Sequence, residues 1–291
     1  MSETRNTPPL VSVIVPMYGV EDYIACCAES LFAQSYPAIE FLFVDDGGKD
    51  RTVEILRGIL ERQAPELQAR VRIISKANAG LPQARKTGLD AATGDYIFHL
   101  DADDWVEPDA VERLVREALR TDADLVYFDF WKEYGSRHKL DRERAYSEQD
   151  KERWMKRLYN DRAYGYVWCK FARKALYRDI FVPRYNMHED IVFSTQLIWR
   201  ASRIVRLSVP LVHYRRTNAA SATRVDKATR RIQSARNILD LYVNGGPEVA
   251  VVRKEIIRKA SWNAFRYDHS LFDAYPFLRR EAPLILRLSG V

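Results

Sequence analysis

The sequence lacks the features typical of secreted, disulfide-bonded and membrane-spanning proteins. Its 291 residues include only three cysteines, Cys26, Cys27 and Cys169, an odd number that excludes a disulfide framework. Their spacing fits no structural zinc site, so we expect reduced thiols. No apolar run is long enough to span a bilayer. The polar segment 1–9 has no signal-peptide core, so we expect a disordered N-terminus and a cytoplasmic protein.

Two common nucleotide-binding motifs are also absent. No Gly-X-Gly-X-X-Gly follows the first apolar strand, which disfavours a dinucleotide-dependent oxidoreductase. No Gly-X-X-X-X-Gly-Lys-Ser/Thr occurs, which disfavours a P-loop NTPase. The content of 47% hydrophobic and 30% charged residues is nevertheless that of a globular protein able to bury a substantial core.

The first half of the chain alternates apolar strands with amphipathic helices. Strands are predicted at 11–16, 39–44, 71–75 and 94–99, and the segments between them have helical periodicity. This alternation indicates βαβ units and a mostly parallel sheet, in which ligands bind beyond the carboxyl ends of the strands. Polar residues follow all four ends: Tyr18, Asp45, Asp46, Asn78, Asp101 and Asp103. The pattern predicts a nucleotide-sized crevice with a metal at one side.

An acidic cluster, Leu100–Trp105, follows the fourth strand. Asp101 and Asp103 are two residues apart and would project the same way from an extended chain, and Asp104 comes next. Carboxylate oxygens are preferred ligands of Mg²⁺ and Mn²⁺. An acidic turn that caps a helix beginning near Pro108 explains the cluster equally well when it is taken alone.

The second half of the chain is less regular. We interpret the charged segment 132–160 as a surface excursion and 161–223 as a return to the core. Residues 224–291 have helical spacing and hold 13 Lys+Arg against 7 Asp+Glu, so 13 − 7 = +6, which is the whole net charge. Such a basic tail can attract an anionic membrane or nucleic acid, although a solvated helix face is more common.

Taken in order, these motifs resemble those of family-2 glycosyltransferases of the GT-A fold, which are inverting enzymes that use nucleotide-sugar donors. The resemblance covers roughly 11–220. The matching stretches are Val11–Tyr18, Val44–Gly47, Asn78–Leu81, Ala84-Arg85 with Gly88, Gly94–Trp105, Trp168–Lys170 and Glu189-Asp190.

The resemblance implies an α/β, Rossmann-like GT-A fold, with a mostly parallel sheet flanked by helices and a C-terminal helical extension. It divides the chain into a catalytic domain at 10–223 and a basic helical region at 224–291. Within the catalytic domain, 10–131 would form the nucleotide-sugar half and 132–223 the acceptor-side half.

The resemblance also implies a role for each matching residue at the strand ends. Asp103 would ligate Mn²⁺ or Mg²⁺, and Asp101 would share the metal or the ribose. Arg85 would face the diphosphate, and Asp104 would lie near the donor sugar. The full set expected to bind the nucleotide-sugar is Pro16, Tyr18, Asp45, Asp46, Asn78, Arg85, Asp101, Ala102 and Asp104.

Glu189-Asp190 resembles the acidic pair that supplies the catalytic base in this family, and Asp190 is our choice. The alternative is that both residues are acids at a helix N-terminus, where the helix dipole stabilises them. His213 is a candidate third metal ligand, although a buried histidine bonded to a carbonyl is more common. Trp168 and Lys170 are the acceptor-side candidates.

We therefore expect a metal-dependent glycosyltransferase that transfers a sugar from a UDP-sugar to a hydroxyl of a growing surface glycan, such as lipopolysaccharide or capsule. The acceptor would be lipid-linked, and the basic C-terminal helices would attract the inner face of the membrane or form a homo-oligomer. The alternatives are a nucleotidyltransferase and a non-catalytic module that binds nucleotide-sugar or nucleic acid. We expect no nucleic-acid partner.

Overall fold

A computed structural model of the protein describes residues 7–218 and 226–281. Within these residues one mixed sheet is flanked by α-helices. Its strands are β1 Val11–Met17, β2 Ile39–Asp45, β3 Val71–Ser75, β4 Tyr96–His99, β5 Trp105–Val106, β6 Leu125–Glu133, β7 His138–Asp141, β8 Lys170–Arg173 and β9 Ile204–Arg215. The helices are α1 Ile24–Phe32, α2 Thr52–Leu60, α3 Pro65–Gln68, α4 Leu81–Ala91, α5 Ala110–Thr121, α6 Lys151–Tyr159, α7 Glu189–Arg200, α8 Lys227–Asn244, α9 Glu248–Tyr267 and α10 Leu271–Ala274. Short 3₁₀ helices lie at Glu148–Asp150, Val167–Cys169 and Lys174–Tyr177.

The strand order is β3-β2-β1-β4-β8-β6-β9-β5, and β7 pairs with β6. The α/β fold is confirmed, and the first four strands of this order are parallel, as predicted. Beyond β4 the sheet is mixed, because β8 runs antiparallel to both β4 and β6 whereas β9 runs parallel to β6. The parallel part places the carboxyl ends of β1 to β4 along one edge.

Two glycines set the position of α4, the helix that carries Arg85. A side chain at Gly88 would collide with Ile14 of β1, so glycine allows the helix to pack closely against the sheet. Gly80, at the helix N-terminus, has φ +91°, and an added Cβ would lie 2.7 Å from the Asn186 side chain. The backbone amide of Leu81 donates to that same Asn186 oxygen, at 2.9 Å. These contacts fix the start of α4 against the loop that precedes α7.

The prediction that 132–160 is a surface excursion was wrong. The segment contains β7 and α6, and Trp154, Met155 and Leu158 of α6 are buried in the core. These apolar residues recur at helical spacing, but charged residues precede them and lysine and arginine separate Met155 from Leu158. Because of these charged residues the sequence pattern did not indicate the helix, which is stabilised by burying one apolar face.

The C-terminal region is helical, as predicted, in the part that the structure describes. Ile238 of α8 and Val252 and Ile256 of α9 belong to the same buried cluster as Trp154 of α6 and Leu197 of α7. The two predicted regions therefore share one core, and the predicted domain limits remain predictions. Most of the predicted disordered N-terminus lies outside the described residues. No described helix is both long and apolar enough to cross a bilayer.

Candidate active site

Polar residues meet at the carboxyl ends of the parallel strands, and we call this edge the strand-end site. Met17 is paired in register with Asp45, which is paired in turn with Ser75 of β3. Tyr18 follows β1 and is 60% exposed, and Asn78 follows β3 and is also exposed. One Asp45 oxygen accepts a hydrogen bond from the Gly48 amide at 2.9 Å, which supports the turn after β2. The predicted convergence of strand-end residues is therefore present.

Five of the predicted donor-binding residues have buried side chains: Pro16, Asp46, Arg85, Ala102 and Asp104. Asp46 is 2% exposed, and its carboxylate accepts hydrogen bonds from the amides of Ala79 and Gly80 and from the Lys76 ammonium. It therefore ties the β2 end to the loop before α4. Pro16 lies inside β1, which runs on to Met17, and the Ala102 methyl group is packed in the core. Pro16 and Ala102 can face a ligand only through their backbones.

The three acids after β4 form a compact group. Asp101, Asp103 and Asp104 each offer one oxygen, and these oxygens all lie within 4.8 Å of one another. Burial and then the Asp101 charge raise the pKa of Asp103. Three carboxylates this close repel one another when all are ionised, and a hard divalent cation would relieve that repulsion. The oxygen donors therefore fit Mn²⁺ or Mg²⁺.

Asp104 lies deeper than the resemblance implied. It is 1% exposed, and one carboxylate oxygen accepts a hydrogen bond from the Arg215 amide at 2.7 Å. The other oxygen is buried and has no partner among the described residues, so it remains available to a cation. Burial and then the charges of Asp103 and Asp101 raise the pKa of Asp104 well above its usual range. The carboxylate thus points into the acid cluster and not toward a sugar.

Arg85 joins this cluster to the second acidic pair. The side chain is fully buried, and one terminal nitrogen lies 2.8 Å from Asp101, 3.6 Å from Glu189 and 3.7 Å from Asp190. Burial alone would lower the pKa of the guanidinium, but the Asp101, Asp190 and Glu189 carboxylates offset this effect and raise it. Arg85 was expected to face the diphosphate. Its position beneath the site instead fixes the spacing between the two acidic groups.

Glu189 and Asp190 begin α7, and their environments differ. The Glu189 side chain is 5% exposed and that of Asp190 is 20% exposed. One Asp190 oxygen accepts a hydrogen bond from the Val167 amide at 3.1 Å. Burial raises the pKa of Asp190 to about 6, the Arg85 charge opposes this shift, and the Asp101 charge adds to it. Asp190 is therefore the more accessible carboxylate, and its pKa suits a general base near neutral pH.

A cleft of about 830 Å³ opens beside this pair. Tyr164 and Tyr166 line it together with Glu189 and Asp190. Eight of its lining residues are arginine or lysine and four are aspartate or glutamate, so we call it the basic cleft. Among the described residues, none at the ends of β1 to β4 lines it. Asp190 therefore links this cleft to the strand-end site through Arg85.

His213 does not join the acid cluster. Its Nδ1 lies 2.7 Å from a Glu133 oxygen and its Nε2 lies 3.1 Å from a Glu107 oxygen. The ring also stacks on Trp105, with centroids 4.9 Å apart. Both nitrogens are therefore occupied by carboxylates, and neither is directed at a cation held by Asp103. Metal ligation by His213 has no support in this geometry.

Trp168 and Lys170, the predicted acceptor-side residues, lie inside the protein. Trp168 is 1% exposed and packs edge-on against Phe130. The Lys170 ammonium is fully buried and donates to the carbonyls of Tyr164 and Tyr166. Burying a cation costs folding free energy unless the cation is hydrogen-bonded, and these carbonyls accept its hydrogen bonds. Both residues therefore support the wall of the basic cleft from behind.

Two residues outside the predicted site contact the acids from elsewhere in the chain. The Asn218 amide donates to Asp103 at 2.7 Å, and the Arg215 guanidinium donates to the Asp103 carbonyl at 2.9 Å. Arg215 also lies over the Trp105 ring at 4.7 Å. The pairing of β9 with β5 brings these residues to the acids, and no local sequence motif indicates the contacts.

Sequence reasoning missed His99. It is fully buried at the end of β4, and neither ring nitrogen has a partner among the described residues. Burial and then the Arg85 charge hold the pKa of His99 well below its usual range. A neutral imidazole therefore lies next to the buried guanidinium. The only signal in the sequence was a polar residue in an otherwise apolar strand.

Comparison with known families decides the classification. The family model described as "Glycosyl transferase family 2" matches residues 12–181, which is more than half of the chain. The chain belongs to glycosyltransferase family 2. The expected family is thereby confirmed.

A sequence relative is the uncharacterized glycosyltransferase EpsJ of Bacillus subtilis (strain 168), which is 35% identical over 215 residues, covering 71% of this chain and 61% of EpsJ. EpsH of the same organism, a putative glycosyltransferase, is 33% identical over 215 residues with the same coverage of both chains. The family-2 chain therefore spans less than two thirds of the length of these relatives.

Solved structures show the same fold at low sequence identity. Residues 1–349 of S. aureus TarS, in complex with UDP-GlcNAc, align with a TM-score of 0.67 and 19% identity, covering 90% of this chain and 74% of that one. The mannosyltransferase PcManGT from Pyrobaculum calidifontis, in complex with GDP-Man and Mn²⁺, aligns with a TM-score of 0.60 and 17% identity, covering 97% and 81%. These likenesses confirm the GT-A fold.

Proposed function

We propose that this family-2 chain is an inverting, metal-dependent glycosyltransferase that transfers a sugar from a UDP-sugar to a hydroxyl of a growing surface glycan. The fold neighbours were solved with a UDP-sugar in one case and with a GDP-sugar and Mn²⁺ in the other. The strand-end site would bind the uridine diphosphate part of the donor, through Tyr18, Asp45 and the loop at Asn78. The basic cleft would bind the acceptor.

The position of Arg85 is the observation that carries this proposal. One terminal nitrogen of its guanidinium bonds Asp101 of the acid cluster and lies within 3.7 Å of Asp190. The acid cluster would bind the donor diphosphate, and Asp190 would activate the acceptor. The two are therefore neighbours on either side of the buried Arg85 guanidinium. A single displacement needs the leaving group and the base to be held in a fixed relation.

In this mechanism Asp190 acts as the general base. An acceptor hydroxyl in the basic cleft gives its proton to the Asp190 carboxylate as its oxygen attacks the anomeric carbon. The Val167 amide holds one carboxylate oxygen, so the other is the proton acceptor. One displacement inverts the anomeric configuration. Glu189 is more deeply buried, and burial followed by the Asp190 charge raises its pKa well above its usual range, so it stays protonated more readily.

The acid cluster would hold the divalent cation. Asp101 and Asp103 would ligate Mn²⁺ or Mg²⁺, with the free Asp104 oxygen completing the set on the protein side. When bound, the cation would neutralise negative charge that develops on the leaving diphosphate. Arg215 and Asn218 orient Asp103 from β9 and the residues after it.

Membrane attraction through the C-terminal helices remains a prediction. Several basic residues of these helices line the basic cleft or pair with acidic residues of the protein. Arg230 and Arg231 line the basic cleft. Arg253 pairs with Glu281, and Lys259 pairs with Asp161. The solvated face left for a membrane is therefore smaller than the sequence indicates. A lipid-linked acceptor would bring the protein to the membrane without such a face.

The test compares Asp103→Ala with His213→Gln. We expect Asp103→Ala to lower Mn²⁺-dependent turnover of a UDP-sugar by on the order of 10²-fold, because a catalytic metal contributes several kcal/mol. His213→Gln should retain Mn²⁺ dependence, since the histidine bonds two glutamates away from the cluster. UDP release would be measured across a panel of UDP-sugars. Metal-independent turnover that Asp103→Ala leaves unchanged would contradict the proposal.

A further inference from the structure

The basic cleft holds more positive charge than the protein neutralises. Arg142 and Arg144 come from the segment after β7, Arg162 from the segment after α6, and Arg230 and Arg231 from α8. Among the described residues, none of the cleft's eight cations forms an ion pair. Elsewhere on the surface arginines pair readily, as Arg51 does with Glu54 and Arg120 with Glu117. Like charges gathered in a cavity repel one another, so an unpaired set marks a place for an anion.

The four acids of the cleft do not cancel this charge. Asp161 pairs with Lys259, which is not one of the lining cations. Glu143 accepts hydrogen bonds from the amides of Arg144 and Tyr164, and Glu189 lies 3.6 Å from the buried Arg85. These carboxylates bond backbone amides or lie beside cations outside the cleft, and of the eight lining cations Arg157 also acts on Glu143. Of the four lining acids, Asp190 is the one left to face the cavity, where it would act as the base.

A histidine in the cleft lining adds no positive charge to it. His188 lines the cleft and is the residue before α7. Burial and then the charges of Lys259 and Arg231, partly opposed by Asp161, lower the pKa of His188 to about 4. The imidazole is therefore neutral and adds no charge of its own.

From this arrangement we infer that the acceptor is a phosphate-bearing molecule whose phosphate groups bind the basic cleft while its hydroxyl reaches Asp190. This inference rests on the proposed function and names its acceptor class. Arginine guanidinium groups bind phosphate oxygens through two parallel hydrogen bonds. Several arginines from separate segments suit a ligand with several negative charges, such as a diphosphate or a run of phosphodiesters. A single carboxylate would leave most of them unpaired.

The donor diphosphate does not account for the cleft. The residues that would bind the nucleotide lie at the ends of β1 to β4, and within the described residues none of them lines this cavity. Arg85 is buried on the acidic groups and does not line it either. Two sources of acceptor phosphate remain, a lipid diphosphate that carries the glycan and a polyol-phosphate chain. Both present the same chemistry to the arginines.

Calorimetry on the full chain, with UDP and Mn²⁺ present to fill the donor site, tests the inference. The probes are a glycerol-phosphate oligomer, a sugar on a short-chain polyprenyl diphosphate, and a neutral oligosaccharide of matched size. A phosphate-bearing probe should bind at least about tenfold more tightly than the neutral one, and salt should weaken its binding. The preferred phosphate probe identifies the source. Equal affinity for the neutral oligosaccharide would overturn the inference.

A pair of double variants locates the binding. Arg142→Gln with Arg230→Gln removes two exposed cleft arginines whose side chains make no hydrogen bond to the described residues. Arg57→Gln with Arg116→Gln removes the same charge from α2 and α5. We expect the cleft variant to lose about tenfold or more in affinity for the phosphate probe, and the control to keep it. Weakened UDP binding in the cleft variant would assign these arginines to the donor and overturn the inference.

The two proposals can fail separately. If the unmodified protein binds no UDP and turns over no UDP-sugar, the proposed function fails, and binding of the phosphate probes to the cleft still stands as an observation. If UDP and the donor react normally but neutral acceptors are used as well as phosphate-bearing ones, only the acceptor inference fails.

Discussion

The strand-end site and the basic cleft meet at Asp190 but are built in opposite ways. At the strand ends, carboxylates follow consecutive parallel strands, and buried hydrogen bonds or Arg85 hold most of them. In the cleft, cations come from segments as distant as Arg142 and Arg230, and none is paired within the described structure. The first site is acidic and would suit a cation, whereas the second is basic and would suit an anion. A charge-separated pair of sites suits a reaction in which a metal-bound diphosphate leaves while a different molecule attacks.

The junction between the two sites should show the largest effect. Asp190→Asn removes the proton acceptor while keeping the side chain's shape, so we expect transfer to fall by about 10²–10⁴-fold. UDP binding should persist, because Asp190 lies on the cleft side of Arg85. Steady-state transfer and UDP calorimetry measure the two properties. Asp90→Asn, at an exposed carboxylate on α4, is the control. Full transfer by Asp190→Asn would remove the proposed base and the link between the sites.

Arg85 should matter next, chiefly for stability. Arg85→Met leaves Asp101, Glu189 and Asp190 without their shared cation, and breaking a buried ion pair costs about 3–5 kcal/mol of folding free energy. Denaturant unfolding measures this loss. The matched control is Lys86→Met, which breaks an exposed pair with Asp90 on the same helix and should cost at most about 1 kcal/mol. Equal losses in both variants would show that the two acidic groups do not depend on Arg85.

The smallest effect is a pH dependence that reports on the same junction. The base works as a carboxylate, so activity is present above the Asp190 pKa of about 6 and is lost as the pH falls through it. We expect kcat/KM to fall about tenfold per unit below that pH. Arg85 opposes the upward shift, so an active Arg85→Met variant should lose activity at a higher pH. A pH profile of kcat/KM for both proteins provides the measurement, and a flat acidic limb would exclude Asp190.

The strand-end site was predictable because its residues lie in short motifs. Tyr18, Asp45, Asn78 and Asp101 follow apolar strands, and the regular βαβ alternation brings strand ends together at one edge. The acidic pair Glu189-Asp190, the proposed source of the base, was singled out from the sequence only through the resemblance to the family. The depth of each side chain was not predictable. Asp104 was expected at the sugar but is buried, since the amide of Arg215 on β9 holds it from behind.

The two residues predicted to face the acceptor are buried, and the reason is physical. Trp168 and Lys170 looked available because aromatic and basic side chains often bind sugars, but the carbonyls of Tyr164 and Tyr166 and the ring of Phe130 enclose them. The segment 132–160 looked like loop because its buried residues lie between charged ones. Such burial depends on α7 and α9 packing against α6, which are contacts over long sequence separations.

The sequence by itself determined the alternation of strands and helices, the family, and the acids that follow the strands, because each of these depends on residues close together in the chain. Only the tertiary structure decided which side chains face a cavity. The mixed half of the sheet carries Arg215 to Asp103 and Asp104, and the packing of α8 brings Arg230 into a cleft with Arg142. Charges spread over ninety residues of sequence became one basic cleft because the helices share a core.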